Sequence, residues 1–411
     1  MVVLSSRVPL RHRIVSALAL FISIGVSDAA PKTFSLEIKD GKLSGPGATV
    51  IETELSKTQF ILWGEDHGFA DSPIILRAIA RAARPLGFKY HVVEVGPLST
   101  RMIADRLARD GIPGLHELVH HVLLGIPFLS LKDDAELASD FLGQDSKGTP
   151  FLWGVDQEFI GSPQFHLQRL IEIAPDQSAR VIAEKLLNEE KTAADSADQE
   201  KFLLARFHES DFAELAAQFK GVAEAARIVG ELQESAAIYQ LWMSGHNYEN
   251  NARRARLLAK NFLALYKSAA DPQPKVVFKM GIEHVALGTT TVSTIDLGTL
   301  AASIAKLNGQ NSLRIAFLPM GGHNTAFAPK PGTPATVQVY ESAESKEFFG
   351  AIGLEAAAIP NDTWTLVPLE PIRQSLDNKG IEALKPFSRF ALLGYDYVIT
   401  TADAKPGISL Y

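Results

Sequence analysis

Acidic and histidine side chains follow four apolar runs of this 411-residue sequence, at the point where each run stops. Each run is typical of a buried parallel strand, because it is short, apolar and bounded by glycine or a helical pattern. The carboxyl ends of parallel strands share one edge of a sheet, so these side chains are predicted to meet in one crevice. They are Glu65 and His67 after residues 60–63, Glu94 after 88–93, Asp156 after 150–153, and Glu283 with His284 after 275–280.

Two histidines among carboxylates suit hydrolysis by either of two routes. Imidazole and carboxylate ligands together fit a divalent metal, whose bound water becomes a nucleophile near neutral pH. Without a metal, a histidine held by a carboxylate can deprotonate water for attack on an acyl carbon. The sequence has no serine elbow of the form G-x-S-x-G and no phosphate-binding or dinucleotide-binding glycine loop. The candidate metal ligands are Glu65, His67, Glu94 and His284.

The elements that would position these residues alternate between strand and helix. The apolar runs at 60–63 and 88–93 are followed by helical patterns at 74–86 and 99–109. This order is typical of a parallel sheet with crossover helices. We therefore predict an α/β fold with a mostly parallel central sheet and flanking helices. The other expected strands are at 34–38, 150–153, 275–280, 312–318, 363–367 and 395–400.

The pattern changes between the third and fourth core strands, over about residues 164–267. Apolar residues recur there at three- and four-residue spacing, in segments rich in Ala, Glu, Lys and Gln, which is typical of helices. We predict a helical insertion that forms a lid over the strand ends. No repeat or interdomain linker is evident, so residues 30–411 are expected to form a single domain.

The first 29 residues have the pattern of a secretory signal peptide. Arg7, Arg11 and Arg13 precede an apolar run at 14–26, and small residues follow at the spacing that signal peptidase requires. We predict cleavage after Ala29 and a periplasmic or secreted mature protein. An uncleaved anchor is the alternative interpretation, although the run is short for a membrane span.

The amino-acid composition excludes several classes of binding partner for the mature chain. Loss of three Arg and one Asp with residues 1–29 takes the formal net charge from −7 to −9, and an acidic protein is a poor ligand for nucleic acid. The absence of cysteine excludes disulfides, thiolate metal sites and a lipid anchor at the cleavage junction. No further apolar stretch is long enough for a membrane span. A small-molecule substrate is the partner that remains.

Several of these motifs resemble the erythromycin esterase-like superfamily, which includes the ChaN-type haem-binding proteins and the Tiki/TraB proteins. The resemblance begins with Gly-Glu-Asp-His-Gly at 64–68, Val-Glu-Val-Gly at 93–96, and His284 after a strand. It covers most of residues 50–402. The further matching segments are 126–128, 136–137, 141–142, 153–157, 254–261 and 395–398.

The resemblance implies an α/β sheet with a helical insertion and a deep cleft at the strand ends. It implies that His67 activates water, that Glu65 and Glu94 orient it, and that His284 assists. An arginine on the first helix after the strand would bind substrate or stabilise transition-state charge. The substrate-binding residues predicted in this way are Arg77, Asp156, Glu283 and Arg254.

The first hypothesis is therefore an exported hydrolase that acts on an ester or lactone, with no cofactor or with a divalent metal. Two alternatives come from the same superfamily: a ChaN-type haem- or iron-binding protein, and a metal-dependent peptidase of the Tiki type. The motif at 64–68 is one residue shorter than the G-E-x-x-H-G of the macrolide esterases, and this spacing is closer to the ChaN and Tiki proteins. Residues 281–284 read G-I-E-H, where those esterases have H-N-x-H.

Overall fold

The structure is a computed structural model that describes residues 31–122, 124–196, 198–327, 335–360 and 363–411. The predicted signal peptide lies outside the described residues. Within them, a nine-stranded sheet is covered by helices, and two further strands form a small separate sheet. No described helix is long and apolar enough to cross a membrane.

Most strands in the described chain are followed by one or more helices. The strands are β1 (Phe34–Lys39), β2 (Lys42–Ser44), β3 (Thr58–Glu65), β4 (Phe88–Val93), β5 (Leu152–Gly154), β6 (Lys275–Gly281), β7 (Asn311–Phe317), β8 (His323–Phe327), β9 (Ala335–Val339), β10 (Trp364–Pro368) and β11 (Tyr397–Thr400). The helices before the insertion are α1 (Pro46–Leu55), α2 (Asp71–Ala83), α3 (Pro97–His121) and α4 (Lys132–Ser139). Those of the insertion are α5 (Pro163–Glu172), α6 (Gln177–Ser196), α7 (Leu203–Arg206), α8 (Glu209–Gln218), α9 (Ala223–Met243) and α10 (Asn247–Ser268). The remaining helices are α11 (Ile282–Val285), α12 (Leu297–Leu307), α13 (Ala343–Ala351), α14 (Glu370–Ser375), α15 (Asn378–Ala383) and α16 (Pro386–Gly394).

The large sheet has the strand order β2-β1-β10-β11-β7-β3-β6-β4-β5. All pairs from β11 to β5 are parallel, and the pairs that involve β1, β2 and β10 on one side are antiparallel. The predicted α/β fold with a mostly parallel sheet is confirmed. The register pairs Glu65 of β3 with Gly281 of β6, and Val93 of β4 with Gly154 of β5. The carboxyl ends of these four strands therefore lie side by side.

Strand β3 is buried along its whole length inside this sheet. Its side chains alternate between two cores, as in a strand that is covered on both faces. Phe60 and Leu62 pack with residues of α10, α12 and α16. Ile61 and Trp63 pack on the other face, with residues of α1 and α2. The continuous apolar run in the sequence is the consequence of this double burial.

Helices α5 to α10 form the insertion between β5 and β6, over the segment for which a helical insertion was predicted. They bury a hydrophobic core of their own that includes Leu167, Leu187, Phe202 and Leu232. The small antiparallel pair of β8 and β9 was not predicted from the sequence. Val337 and Val339 of β9 are exposed to solvent. A pair of strands at the surface has no continuous apolar run like that of a core strand.

One close contact fixes the carboxyl end of β3 against the residues after β6. The Tyr395 hydroxyl, fully buried, donates to the backbone carbonyl of Ile282 and touches the backbone at Gly64. A Cβ atom on Gly64 would overlap that hydroxyl and would lie 3.1 Å from the Cα of Ile282. Glycine is therefore required at position 64 for steric reasons.

We predict that Gly64→Ala destabilises the protein by about 1–3 kcal/mol, because the new methyl group must displace a buried tyrosine. The measurement is urea-induced unfolding followed by circular dichroism. Gly230→Ala is the matched control, since Gly230 lies in α9 with nothing within 4 Å of its Cβ position. That variant should gain about 0.5–1 kcal/mol of helix stability. Equal unfolding midpoints for the two variants would contradict the packing argument.

Candidate active site

A cleft of about 460 Å³ lies at the carboxyl ends of β3, β4, β5 and β6, against residues of the helical insertion. The structure brings together in its lining seven of the eight residues that the sequence predicted for the site. Its described lining consists of Glu65, Asp66, His67, Glu94, Pro127, Phe128, Asp156, Gln157, Phe159, Tyr239, Arg254, Gly281, Ile282, Glu283 and His284.

His67 is the most exposed member of the charged group at the base of this cleft, with a quarter of its side chain (25%) accessible to solvent. Its Nδ1 lies 3.0 Å from Oε1 of Glu65, and its Nε2 lies 3.4 Å from Oε2 of Glu94. The Phe128 ring stacks on the imidazole at a centroid distance of 3.8 Å. The ring is therefore held in one orientation by two carboxylates and an aromatic face.

These carboxylates control the charge of His67. Burial opposes protonation, but Glu94 first and then Glu65 outweigh it and raise the pKa of His67 to about 9. The imidazole is therefore mostly protonated in the resting site at neutral pH. His67 can accept a proton only from the neutral form, which becomes populated as the pH approaches 9.

Glu94 is buried at the centre of the group, with 6% of its surface exposed. It accepts hydrogen bonds from the backbone N–H of Gly281 (2.5 Å) and from Nη2 of Arg254 (2.7 Å). Burial opposes its ionisation, but His284 and His67 outweigh burial and hold its pKa well below the ordinary value. Glycine at 281 leaves room for the Glu94 carboxylate, because a Cβ there would lie 3.3 Å from Oε2 of Glu94 and 3.2 Å from Nε2 of His67.

His284 is the second histidine of the group and lies on the other side of Glu94. Its Nε2 is 3.5 Å from Oε1 of Glu94, and its Nδ1 is 2.8 Å from Oδ2 of Asp296. Asp296 also caps α12, since Oδ1 accepts from the backbone N–H of Leu297 at 2.6 Å. Burial and Arg254 oppose protonation of His284, but Glu94 and Asp296 raise its pKa to about 10. His284 is therefore a cation at neutral pH.

Arg254 reaches the cleft from α10 of the insertion. Its Nε donates to Oδ1 of Asp156 at 2.9 Å, and its Nη2 bridges Asp156 and Glu94. Asp156 is buried beyond the end of β5 and also accepts from the backbone N–H of Gln157. Arg254 therefore ties the insertion to two strand ends and neutralises both carboxylates.

A buried ion-pair network lies behind Glu65 and was not predicted from the sequence. Nζ of Lys279 on β6 contacts Oε1 of Glu65 and lies 2.7 Å from Oδ1 of Asp134 on α4. Ser72 donates a further hydrogen bond to Oε2 of Glu65. Burial opposes ionisation of Glu65, but Lys279 and then His67 lower its pKa. A lysine inside an apolar strand was the available signal, because a buried lysine must be paired.

Arg77 does not line the cleft. Its Nη1 is 2.7 Å from Oε2 of Glu136, and its Nε and Nη2 form a bidentate pair with Asp140 at 2.8 and 3.0 Å. These contacts connect α2 to α4. Glu283 does line the cleft, where its carboxylate accepts from the backbone N–H and hydroxyl of Thr291.

The donor set does not fit a metal ion bound by the four candidate ligands. Lys279 and Arg254 already neutralise Glu65 and Glu94, and a divalent cation beside them would be repelled. In the described ranges, no group of three His, Asp or Glu side chains is placed to hold a metal ion.

Comparison with known proteins supports the fold. The chain matches a structure of the erythromycin esterase EreC, a histidine-to-asparagine mutant in its open conformation, at 13% identity and a TM-score of 0.58, covering 92% of this chain and 98% of that one. The structure of a succinoglycan biosynthesis protein matches at 11% identity and a TM-score of 0.53, covering 92% of this chain and 96% of that one. The structure of a Bacillus cereus protein matches at 11% identity and a TM-score of 0.50, covering 88% of this chain and 92% of that one. No protein-family model and no curated protein matches the chain. The chain thus has the erythromycin esterase-like fold, as the resemblance predicted.

The site geometry predicts two very different histidine titrations. His67 should titrate near pH 9, whereas burial lowers the pKa of His91, on β4, to about 4. The measurement is NMR of protein labelled with ¹³C-histidine, with His67→Asn and His91→Asn variants to assign the two signals. Glu65→Gln should lower the pKa of His67, because it removes one of the two carboxylates. A His67 signal that titrates at the ordinary value of 6.5 would contradict the proposed pairing.

Proposed function

We propose that this chain is a hydrolase that cleaves an ester or lactone with water activated by His67. The observation that carries the proposal is the position of the His67 ring. Its Nδ1 is held 3.0 Å from the Glu65 carboxylate, while the ring reaches solvent at the base of a 460 Å³ cleft. A histidine whose tautomer is fixed by a carboxylate on one nitrogen presents the other nitrogen as a general base.

In the proposed reaction, neutral His67 takes a proton from water at Nε2 while the water oxygen bonds to the acyl carbon. Glu65 stabilises the imidazolium that forms. Cationic His284 lies across Glu94 and can stabilise the oxyanion of the tetrahedral intermediate. Collapse of this intermediate breaks the bond to the alkoxy oxygen, which receives the proton from His67. The products are a carboxylic acid and an alcohol, or one hydroxy acid from a lactone.

The charges of the site favour a neutral substrate with an apolar body. Arg254 is the one arginine of the described lining, and it is bound to two carboxylates. The remainder of the lining includes the apolar or aromatic side chains of Phe128, Phe159, Tyr239 and Ile282. Such walls bind the hydrophobic part of an ester and exclude water from the reacting carbon. The similarity of the fold to an erythromycin esterase supports an ester or lactone as the substrate class.

We also propose that the protein is exported. The signal-peptide pattern ends at residue 29, and the first described strand begins at Phe34. Cleavage after Ala29 would therefore remove no residue of the described fold.

His67→Asn is expected to lower kcat/KM for ester hydrolysis by a factor on the order of 10²–10⁴, the usual contribution of a general base. The measurement uses a panel of nitrophenyl esters and lactones and the best substrate found among them. His116→Asn is the matched control, because His116 is exposed on α3 outside the cleft. Both variants should keep the circular dichroism spectrum of the native protein. A fully active His67→Asn enzyme would overturn the assignment.

The pH profile tests the same base independently. Because the pKa of His67 is raised to about 9, kcat/KM should rise about tenfold per pH unit up to that value. Glu65→Gln should shift this rise in kcat/KM to lower pH, since it removes a carboxylate that favours the protonated ring. A flat profile between pH 6 and 9 in the native enzyme would exclude His67 as the base.

Export has a direct test in cells. Expression of the full-length chain in a Gram-negative host should place the protein in the periplasmic or extracellular fraction, with a mature N-terminus at Ala30. N-terminal sequencing of the purified protein makes the measurement. A cytoplasmic protein that keeps residues 1–29 would contradict the proposal. Deletion of 2–29 is the control that should hold the protein in the cytoplasm.

A further inference from the structure

A second and larger cavity, of about 740 Å³, lies between α3 and three helices of the insertion, α5, α6 and α9. None of its lining residues lines the candidate active-site cleft. Its size is in the range of pockets that hold small organic ligands. The proposed hydrolysis gives this cavity no role.

The cavity lining is basic, although the chain as a whole is acidic. Six Arg or Lys side chains line it against three Asp or Glu. Three of the cations come from three different helices: Arg101 from α3, Lys191 from α6 and Arg227 from α9. Within the part of the chain that the structure describes, these three side chains form no ion pair.

Three carboxylates act on the charge of Arg101, namely Asp105 on the same helix, Glu224 and Glu158, and the last two are already bound to other partners. Glu224 forms a bidentate pair with Arg169 at 2.9 and 3.0 Å. Glu158, buried behind the wall, accepts from the backbone N–H of Leu98 and lies 3.0 Å from Nε2 of His166. Neither carboxylate is therefore free to form a close pair with the guanidinium of Arg101.

Arg101 on α3 and Arg227 on α9 line the same cavity, where their like charges repel one another. Partial burial of the Arg101 side chain and then the positive charge of Arg227 lower the pKa of Arg101 below its ordinary value. An anionic group between the two guanidinium groups would remove this repulsion and accept charge-assisted hydrogen bonds from both. Arginine is also the side chain best suited to phosphate and carboxylate, because its planar donors match their oxygens.

The same cavity offers an apolar surface beside the cations. Met102, Phe165, Leu187 and Ile228 all contribute to its lining. A free inorganic anion would leave this surface in water, whereas a ligand with an apolar chain would cover it. The combination of unpaired arginines and an apolar wall matches a ligand that carries both features.

We propose that this cavity binds a small amphipathic anion, whose phosphate head lies between Arg101 and Arg227 and whose apolar chain packs on Met102, Phe165 and Ile228. The site is independent of the proposed hydrolysis, because the two cavities share no lining residue. The ligand proposed for this cavity is anionic, whereas the substrate proposed for the cleft is neutral.

Isothermal titration calorimetry with three probes tests this proposal on the native chain. Octyl phosphate should bind at one site, inorganic phosphate should bind at least tenfold more weakly, and octyl glucoside should not bind. Equal binding of inorganic phosphate would overturn the apolar part of the proposal. Equal binding of octyl glucoside would overturn the anionic part, and absence of octyl phosphate binding would overturn the proposal as a whole.

The double variant Arg101→Gln/Arg227→Gln locates the binding site. Both side chains are solvent-exposed, so the variant should keep its fold and its thermal midpoint. Its affinity for octyl phosphate should fall at least tenfold. The matched control is Lys306→Gln/Lys379→Gln, which removes two exposed cations outside the cavity and should keep native affinity. Unchanged affinity in the arginine variant would place the bound anion elsewhere and overturn the proposal.

Discussion

Glu94 is a buried negative charge, and the candidate site is organised around the groups that compensate it. Removal of a carboxylate from water is costly unless charged partners and hydrogen bonds surround it. The backbone N–H of Gly281, the guanidinium of Arg254 and the two histidines supply those partners. They come from β6, from the helical insertion, and from the residues after β3 and β6. The sheet register and the docking of the insertion are thus both needed before this charge is stable, and the same two requirements assemble the cleft.

The charges of the site alternate in sign through the protein interior. Glu65 lies between two cations, Glu94 lies among three, and each histidine lies between two carboxylates. A fully satisfied network of this kind is rigid, since the loss of any member leaves its neighbours unpaired at low dielectric. The raised pKa values of both histidines follow from this alternation. The members, from one end to the other, are Asp134, Lys279, Glu65, His67, Glu94, Arg254 with His284, and finally Asp156 and Asp296.

The helical insertion has two consequences for function. Through Arg254 and Tyr239 it closes one side of the cleft at the strand ends, so the site does not belong to the sheet alone. Through α5, α6 and α9 it also builds the basic cavity against α3. A parallel sheet is a general scaffold for ligands at its carboxyl edge, and activity depends on the side chains placed there. In this chain the insertion and α3 together provide the cations that distinguish the basic cavity from the cleft.

The sequence by itself determined which strands end in ionisable residues. Period, length and bounding glycines identify a doubly covered strand, and parallel pairing then brings Glu65, His67, Glu94, Asp156 and His284 to one edge. Only the tertiary structure decided how each of these groups is paired. Lys279 and Asp134 are 145 residues apart yet share an ion pair, and Asp296 reaches His284 from the start of another helix. It also placed Arg77 between α2 and α4, outside the cleft. Local patterns report which face of an element is buried, whereas the partner of a buried charge depends on how distant elements pack.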